Sequence, residues 1–281
     1  MKKNKIYVDY ENFFQNDNDT KKYYKTNKIM YRIFHSKNGF MHMKVANNEG
    51  IKDILYQPQT VLNKINSNTE RILELGCGQC SNLKFLAPKN KDISFTGIDL
   101  TPGTCKQKNV EVLKMDYHDL SKFENNSFDI VYAIETLCYS TNKQKIFNEV
   151  YRILKKDGLF IIFDGYTATD KKNISKEDLA IMATVEKGMA LEKFEEYKFI
   201  KKYATKSGFT VEEEPDLSRN ILPNMNRFNK MAKIVLESRR LSKLIFKMFS
   251  KEFTGNILAG YFMSETIEKK LFNYYLNIFK K

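Results

Sequence analysis

Five short apolar runs between residues 71 and 164 limit what this chain can fold into more than any other feature. They are RILEL (71–75), ISFTGID (93–99), VEVLKM (110–115), FDIVYAI (128–134) and GLFIIFD (158–164). Each is nearly continuous in apolar residues, the pattern of strands covered on both faces. Helical patterns fall between them. NKQKIFNEVYRILKKDG (142–158) puts Ile146, Val150, Ile153 and Leu154 on one face and ends in lysines and a glycine, so a helix is expected to run to that glycine. The alternation predicts a mainly parallel α/β sheet with helices on both faces.

The remaining sequence is arranged around that core. Residues 1–66, rich in Asn, Lys and Tyr, are expected to form a helical arm, with helices at 21–35 and 56–66. The core is taken as 67–217, with 175–207 helical and GFTVEEEPDL (208–217) a strand. A helical insertion follows at 218–270, and LFNYYLNIF within 271–281 is expected to close the sheet. A chain of 281 residues can hold this as one domain with additions. No apolar run approaches the roughly 20 residues that span a bilayer. The start, MKKNKIYVDYENFF, has basic residues but no apolar stretch of the signal-peptide kind. A cytoplasmic protein is the expectation.

Forty-seven Lys and Arg against 34 Asp and Glu leave a net charge of +13. Such a balance suits nucleic acid, an anionic membrane surface or acidic ligands, or simply a lysine-coated surface. There is no block of six basic residues and no basic strand interleaved with aromatics, so nucleic acid is not the expected partner.

The stretch RILELGCGQCSNLKFL (71–86) decides the chemistry. Cys77 and Cys80 form a Cys-x-x-Cys at a strand–helix junction, where a redox pair would sit. The pair is threaded through a Gly-x-Gly and lacks the aromatic or proline neighbours of redox motifs. Zinc would need further ligands in frame, and Cys105, Cys138, His35, His42 and His118 are scattered singly; no metal is expected. A cofactor loop remains, since Gly76 and Gly78 let backbone turn and approach a ligand at a helix start. The dinucleotide pattern G-x-G-x-x-G fails at Ser81. An acid before the turn, Glu74, suits a ligand with positive charge. Asp99 ends the next strand 25 residues later and can accept from ribose hydroxyls, and Asp116 follows the third strand.

ELGCGQCSN, GIDLTP, MDYHDL, FDIVYAIETLCYS and RILKKDGLFIIFD, in that order across residues 70–166, resemble the motifs of class I S-adenosylmethionine-dependent methyltransferases. The arm sequence KKYYKTNKIMYRIFHSKNGFMHM is similar to that preceding the core in sterol, tocopherol and other small-molecule members. Cys80 stands where the family has its third loop glycine, and Lys156-Asp157-Gly158 where it has Pro-Gly-Gly. The resemblance implies a Rossmann-like fold with a seven-stranded sheet, a helical arm and a helical lid. It implies S-adenosyl-L-methionine as methyl donor, S-adenosyl-L-homocysteine as product, and an O, N or C atom of a small apolar metabolite as acceptor. By the same resemblance, Gly76 and Gly78, with Cys77 and Asn82 beside them, meet the aminocarboxylate and Glu74 supports the loop. Asp99 holds the ribose, Leu100 and Tyr117 flank adenine, and Asp116 accepts its amine. Glu135 lies near the methionine portion, with Tyr24 or Tyr31, or else Tyr23, reaching over from the arm.

His42 and Glu135 are the candidates for catalysis, His42 because imidazole titrates near neutral pH. Tyr139, Tyr166, Met225 and Phe228 are the candidates for acceptor contact. Over 216–281 there are 13 Lys and Arg against 5 Asp and Glu, the balance of a basic amphipathic lid that rests peripherally on an anionic membrane. Monomer and homodimer both remain open. Two rival readings stand beside this one: a methyltransferase acting on RNA or protein, and a protein that keeps the cofactor fold without catalysis.

Overall fold

The computed structural model describes residues 6, 8–14, 22–23, 26–27, 32–33, 35–168 and 174–281. The sheet has seven strands: β1 (Arg71–Leu75), β2 (Ser94–Asp99), β3 (Val110–Lys114), β4 (Phe128–Ile134), β5 (Leu154–Thr167), β6 (Thr210–Glu213) and β7 (Phe272–Lys280). Their order is β3-β2-β1-β4-β5-β7-β6. All neighbours pair in parallel except β7, which runs antiparallel to β5 and β6.

Alternate residues of one strand feed two cores. In β5, Ile161 and Phe163 enter one cluster, while Phe160 and Ile162 enter the other. The second is closed by helices α3 (Lys143–Ile153) and α5 (Tyr197–Ser207) through Phe147, Val150, Ile200 and Ala204. The first is closed by α1 (Tyr56–Asn63), α2 (Ser81–Leu86) and α4 (Lys176–Gly188), with α6 (Ser218–Leu236) and α8 (Lys251–Glu268) of the late insertion. A third insertion helix, α7 (Arg239–Met248), joins α6 to α8. No helix of the described residues is long and apolar enough to cross a membrane.

Several boundaries differ from expectation, each for a local reason. The helix expected over 142–158 starts as predicted, with the Asn142 side chain accepting the Lys145 N–H, but it ends at Ile153. Leu154 is drawn into the sheet opposite Phe128, and the register then skips to Ile130 opposite Leu159. Lys156, Asp157 and Gly158 therefore sit in an irregularity of β5, with Asp157 at φ +63°. The stretch 175–207 is two helices, because the Glu186 carboxylate accepts the Phe194 N–H at 2.9 Å and folds the intervening chain back. The helix expected at 56–66 stops at Asn63. The strand expected at 208–217 is only the exposed edge β6. The connections from β2 to β3 and from β3 to β4 are loops rather than helices. Much of the helix expected at 21–35 lies outside the described residues.

Candidate active site

Sheet order reverses between β1 and β4, whose chain connections leave in opposite directions. In open α/β sheets that is where a crevice forms beyond the carboxyl ends of the strands. Here a cavity of about 700 Å³ occupies it, roofed by the arm segment 39–43 and by α4, α6 and α8.

The loop after β1 makes one wall. Gly76 has φ +69°, and a Cβ there would lie 2.1 Å from Thr136 Oγ1, so the loop packs against the chain leaving β4 with no room to spare. Gly78, at φ +48°, is different: nothing lies within 4 Å of where its Cβ would be. Its backbone is open to a ligand. The Asp99 carboxylate accepts the Gly78 N–H at 3.0 Å and the Thr101 N–H at 2.7 Å, which fixes it on the wall next to this loop. Leu100 beside it is exposed at the mouth. Cys80 takes the left-handed conformation, φ +60°, at the start of α2. It and Cys77 are buried free thiols. Among the described residues no cluster of His, Cys, Asp and Glu is arranged to hold a metal.

Besides Asp99, three carboxyl groups face or border the same space. Glu74 is buried beside Tyr132 and accepts Asn82 Nδ2 at 2.8 Å; burial pushes its pKa up to about 8. Glu135, at φ +49°, accepts the Met43 N–H at 2.7 Å and the Tyr274 hydroxyl at 2.8 Å, both on Oε1. Its other oxygen has no hydrogen bond among the described residues. Burial raises this carboxyl also to about 8. Asp164, three residues before the end of β5, accepts the Cys138 and Gly165 N–H groups and is raised by burial to about 6. Desolvation penalises the charged form in each case, and a cation entering this space would reverse the penalty.

His42 lines the cavity, but its ring is held on both edges, with Nδ1 3.1 Å from the Met43 carbonyl and Nε2 3.3 Å from Asn82 Oδ1. Burial lowers its pKa to about 4. It is neutral at physiological pH and braces the Asn82–Glu74 pair, an arrangement that fits poorly with a proton-shuttling base.

The other expected residues divide. Tyr117 and Tyr139 line the cavity, their hydroxyls donating to the Thr136 and Met189 carbonyls; Met225 lines it from α6, and Tyr23 lines it with its hydroxyl donating to Asn256. Asp116 is not on the wall. Its Oδ1 takes both the N–H and Nδ1 of His118, which turns the carboxylate to the outer surface while Tyr117 points in. Tyr166 lies on the opposite face of the sheet, in the second core, against Tyr197. Phe228 packs on His35 instead. Tyr24 and Tyr31 lie outside the described residues. Sequence reasoning missed Asp164, Tyr274, Met43 and the α8 residues Met263, Thr266 and Ile267. Of these only Asp164 had a signal, an acid closing an apolar run in the manner of Asp99.

Residues 73–162 match the family described as "Methyltransferase domain". Over this segment, about a third of the chain, the sequence is similar to that of methyltransferase domains, and the sheet around it has the class I methyltransferase fold. A 24-methylenesterol C-methyltransferase of Arabidopsis thaliana is 26% identical over 160 residues, covering 53% of this chain and 44% of that protein. The matched stretch thus spans less than half the length of that relative, and a second 24-methylenesterol C-methyltransferase of the same plant is covered to the same 44%. The fold extends the likeness beyond the domain. A cyclopropane synthase from Mycobacterium tuberculosis superposes with TM-score 0.74 at 12% identity, covering 92% of this chain and 95% of the other. Geranyl diphosphate C-methyltransferase from Streptomyces coelicolor does so with TM-score 0.68 at 12% identity, over 98% and 99%.

Proposed function

We propose that this protein transfers the methyl group of S-adenosyl-L-methionine to a small apolar metabolite. The observation that carries the reading is a single cavity with two unlike walls. One wall has the open Gly78 backbone, Asp99 and the raised carboxyls of Glu74 and Glu135; the other has Ile221 and Met225 of α6 with Met263 and Ile267 of α8. The first suits a cationic nucleoside and the second an apolar partner. The names of the relatives, which include sterol and geranyl diphosphate C-methyltransferases, support the same class of acceptor.

In this reading 67–217 and the closing strand form the cofactor core, 1–66 the arm, and 218–270 the acceptor lid. Gly76 and Gly78 hold the aminocarboxylate end, Asp99 the ribose hydroxyls, and Leu100 and Tyr117 the adenine. When bound, the cofactor supplies an electrophilic methyl on a sulfonium. The chain contributes alignment of the acceptor and exclusion of water. A carbon acceptor must also lose a proton after methylation, and a base works best with a pKa near the working pH. Glu135, near 8, and Asp164, near 6, meet that condition and touch the cavity. His42 does not, and its role is to hold the Glu74 side of the wall. Peripheral contact with a membrane that contains such an acceptor belongs to this proposal.

The test is incubation with methyl-labelled donor and a panel of sterols, isoprenoids and unsaturated lipids. Label in an organic-extractable product is expected. Transfer to RNA or protein instead, or none from a protein that binds the donor, would overturn the reading.

A further inference from the structure

The face of the insertion turned away from the cavity is unusual in its exposed composition. Helix α7 is anchored on its inner side, where Ser242 is buried and Phe246 packs edge-on against Phe13 at 5.4 Å. Its outer side carries Leu241, Leu244 and Met248 at spacing i, i+3, i+7, between 40 and 67% exposed. Phe249, next in the chain, and Ile234, near the end of α6, are exposed as well. Arg240, Lys243 and Lys247 repeat the same spacing one position earlier and form an exposed basic stripe alongside it. Between residues 227 and 251 the chain has eight Lys and Arg and one acid.

We propose that α7 and the adjoining Phe249 dock the protein on the surface of an anionic lipid bilayer, the apolar strip entering the headgroup boundary and the basic stripe lying on the lipid charges. Apolar residues beside cations on one helix face, without a span-length apolar run, are the pattern of a helix that lies in the interface plane. A second copy of this chain fits the surface poorly, because a two-fold contact would set the same basic stripe against itself. The two helices that α7 joins, α6 and α8, are those lining the apolar end of the cavity. A bilayer under α7 therefore sits against the element through which a lipophilic acceptor reaches the site. This deepens the membrane part of the functional proposal and rests on it only for that last step.

The experiment is flotation of the full chain with phosphatidylcholine vesicles, with and without about one-third phosphatidylglycerol, at low and high salt. S-adenosyl-L-homocysteine affinity and oligomeric state are measured on the same samples. The wild type should float with anionic vesicles and much less with neutral ones. Each basic residue removed near such a surface lowers partition about fivefold, so Lys243→Glu/Lys247→Glu should lose at least tenfold, and Leu244→Glu/Met248→Glu should also lose flotation. All variants should keep the nucleoside affinity of the wild type, since none of these residues lines the cavity. Equal flotation with neutral vesicles, retention by either double variant, or a dimer that Leu244→Glu/Met248→Glu dissolves would overturn the proposal. Vesicle binding by a protein that fails to bind the nucleoside would instead overturn the functional reading and leave this one standing.

Discussion

Glu135→Gln should make the ligand-free protein more stable above pH 6 while weakening its hold on a cationic ligand. Both bonds that the protein makes to this side chain fall on Oε1, so a glutamine carbonyl can replace them. Only the charge changes. The carboxyl rises from an ordinary 4.5 to about 8 in the fold. Such a group is protonated in both states below the unfolded pKa and adds no penalty there. As pH rises from there through 8, the unfolded chain ionises first, and stability is lost at about 1.4 kcal/mol per pH unit. At pH 7 the penalty is about 3 kcal/mol, nearly all of it relieved by the amide. In a chain of this size that is worth several °C in Tm. Thermal unfolding of both proteins from pH 4.5 to 9 is the assay. The curves should meet near pH 4.5 and diverge upward, with the variant the more stable. Parallel curves would mean that Glu135 ionises freely, and the argument for a charge-poor site awaiting a cation would fail. In the same variant, affinity for S-adenosyl-L-methionine should fall about tenfold, and that for the uncharged-sulfur product by much less.

Further outcomes follow from the same geometry. Gly76→Ala should unfold or severely destabilise the protein, because its Cβ would meet Thr136 Oγ1 at 2.1 Å, whereas Gly78→Ala should cost only about 1 kcal/mol, from φ strain, yet lose nucleoside affinity because the methyl enters the cavity wall. Chemical denaturation and calorimetry on the pair separate the two effects. Asp99→Asn should lower nucleoside affinity tenfold or more; unchanged binding would remove Asp99 from the ribose position. His42→Gln should leave the shape of the rate–pH profile between pH 5 and 8 intact, since the imidazole titrates near 4. Loss of a limb in that range would restore His42 as the base. Met225→Phe should raise KM for the acceptor while sparing nucleoside affinity, and equal losses in both would place Met225 outside the acceptor end.

What the sequence revealed was local and periodic. RILEL and FDIVYAI are buried between two helix layers, so their composition alone marked β1 and β4 to the residue. Glu74, Gly76, Gly78 and Asp99 share one strand–helix–strand unit, β1 to β2, where spacing along the chain translates directly into space. The errors arose where a specific partner, near or far, overrides the periodic pattern. The helix ahead of β5 ends early because Leu154 finds Phe128, 26 positions before it. Asp116 turns outward because His118, two residues on, supplies two donors. Tyr166 and Phe228 are aromatic and close in sequence to lining residues, but strand alternation sends Tyr166 to the other face, and Phe228, in phase with Ile221 and Met225, lies a turn further along α6 and packs on His35. Tyr274 reaches Glu135 from 139 residues away, a contact that no local pattern announces.

In the proposed function, the cavity at the carboxyl ends of β1 and β4 is built for this nucleoside. Calorimetric titration of the purified protein with S-adenosyl-L-homocysteine, with NAD as control, tests it most directly. Micromolar one-to-one binding of the former and no heat from the latter is the predicted result. No binding of S-adenosyl-L-homocysteine to a folded protein, or equal binding of NAD, would contradict it.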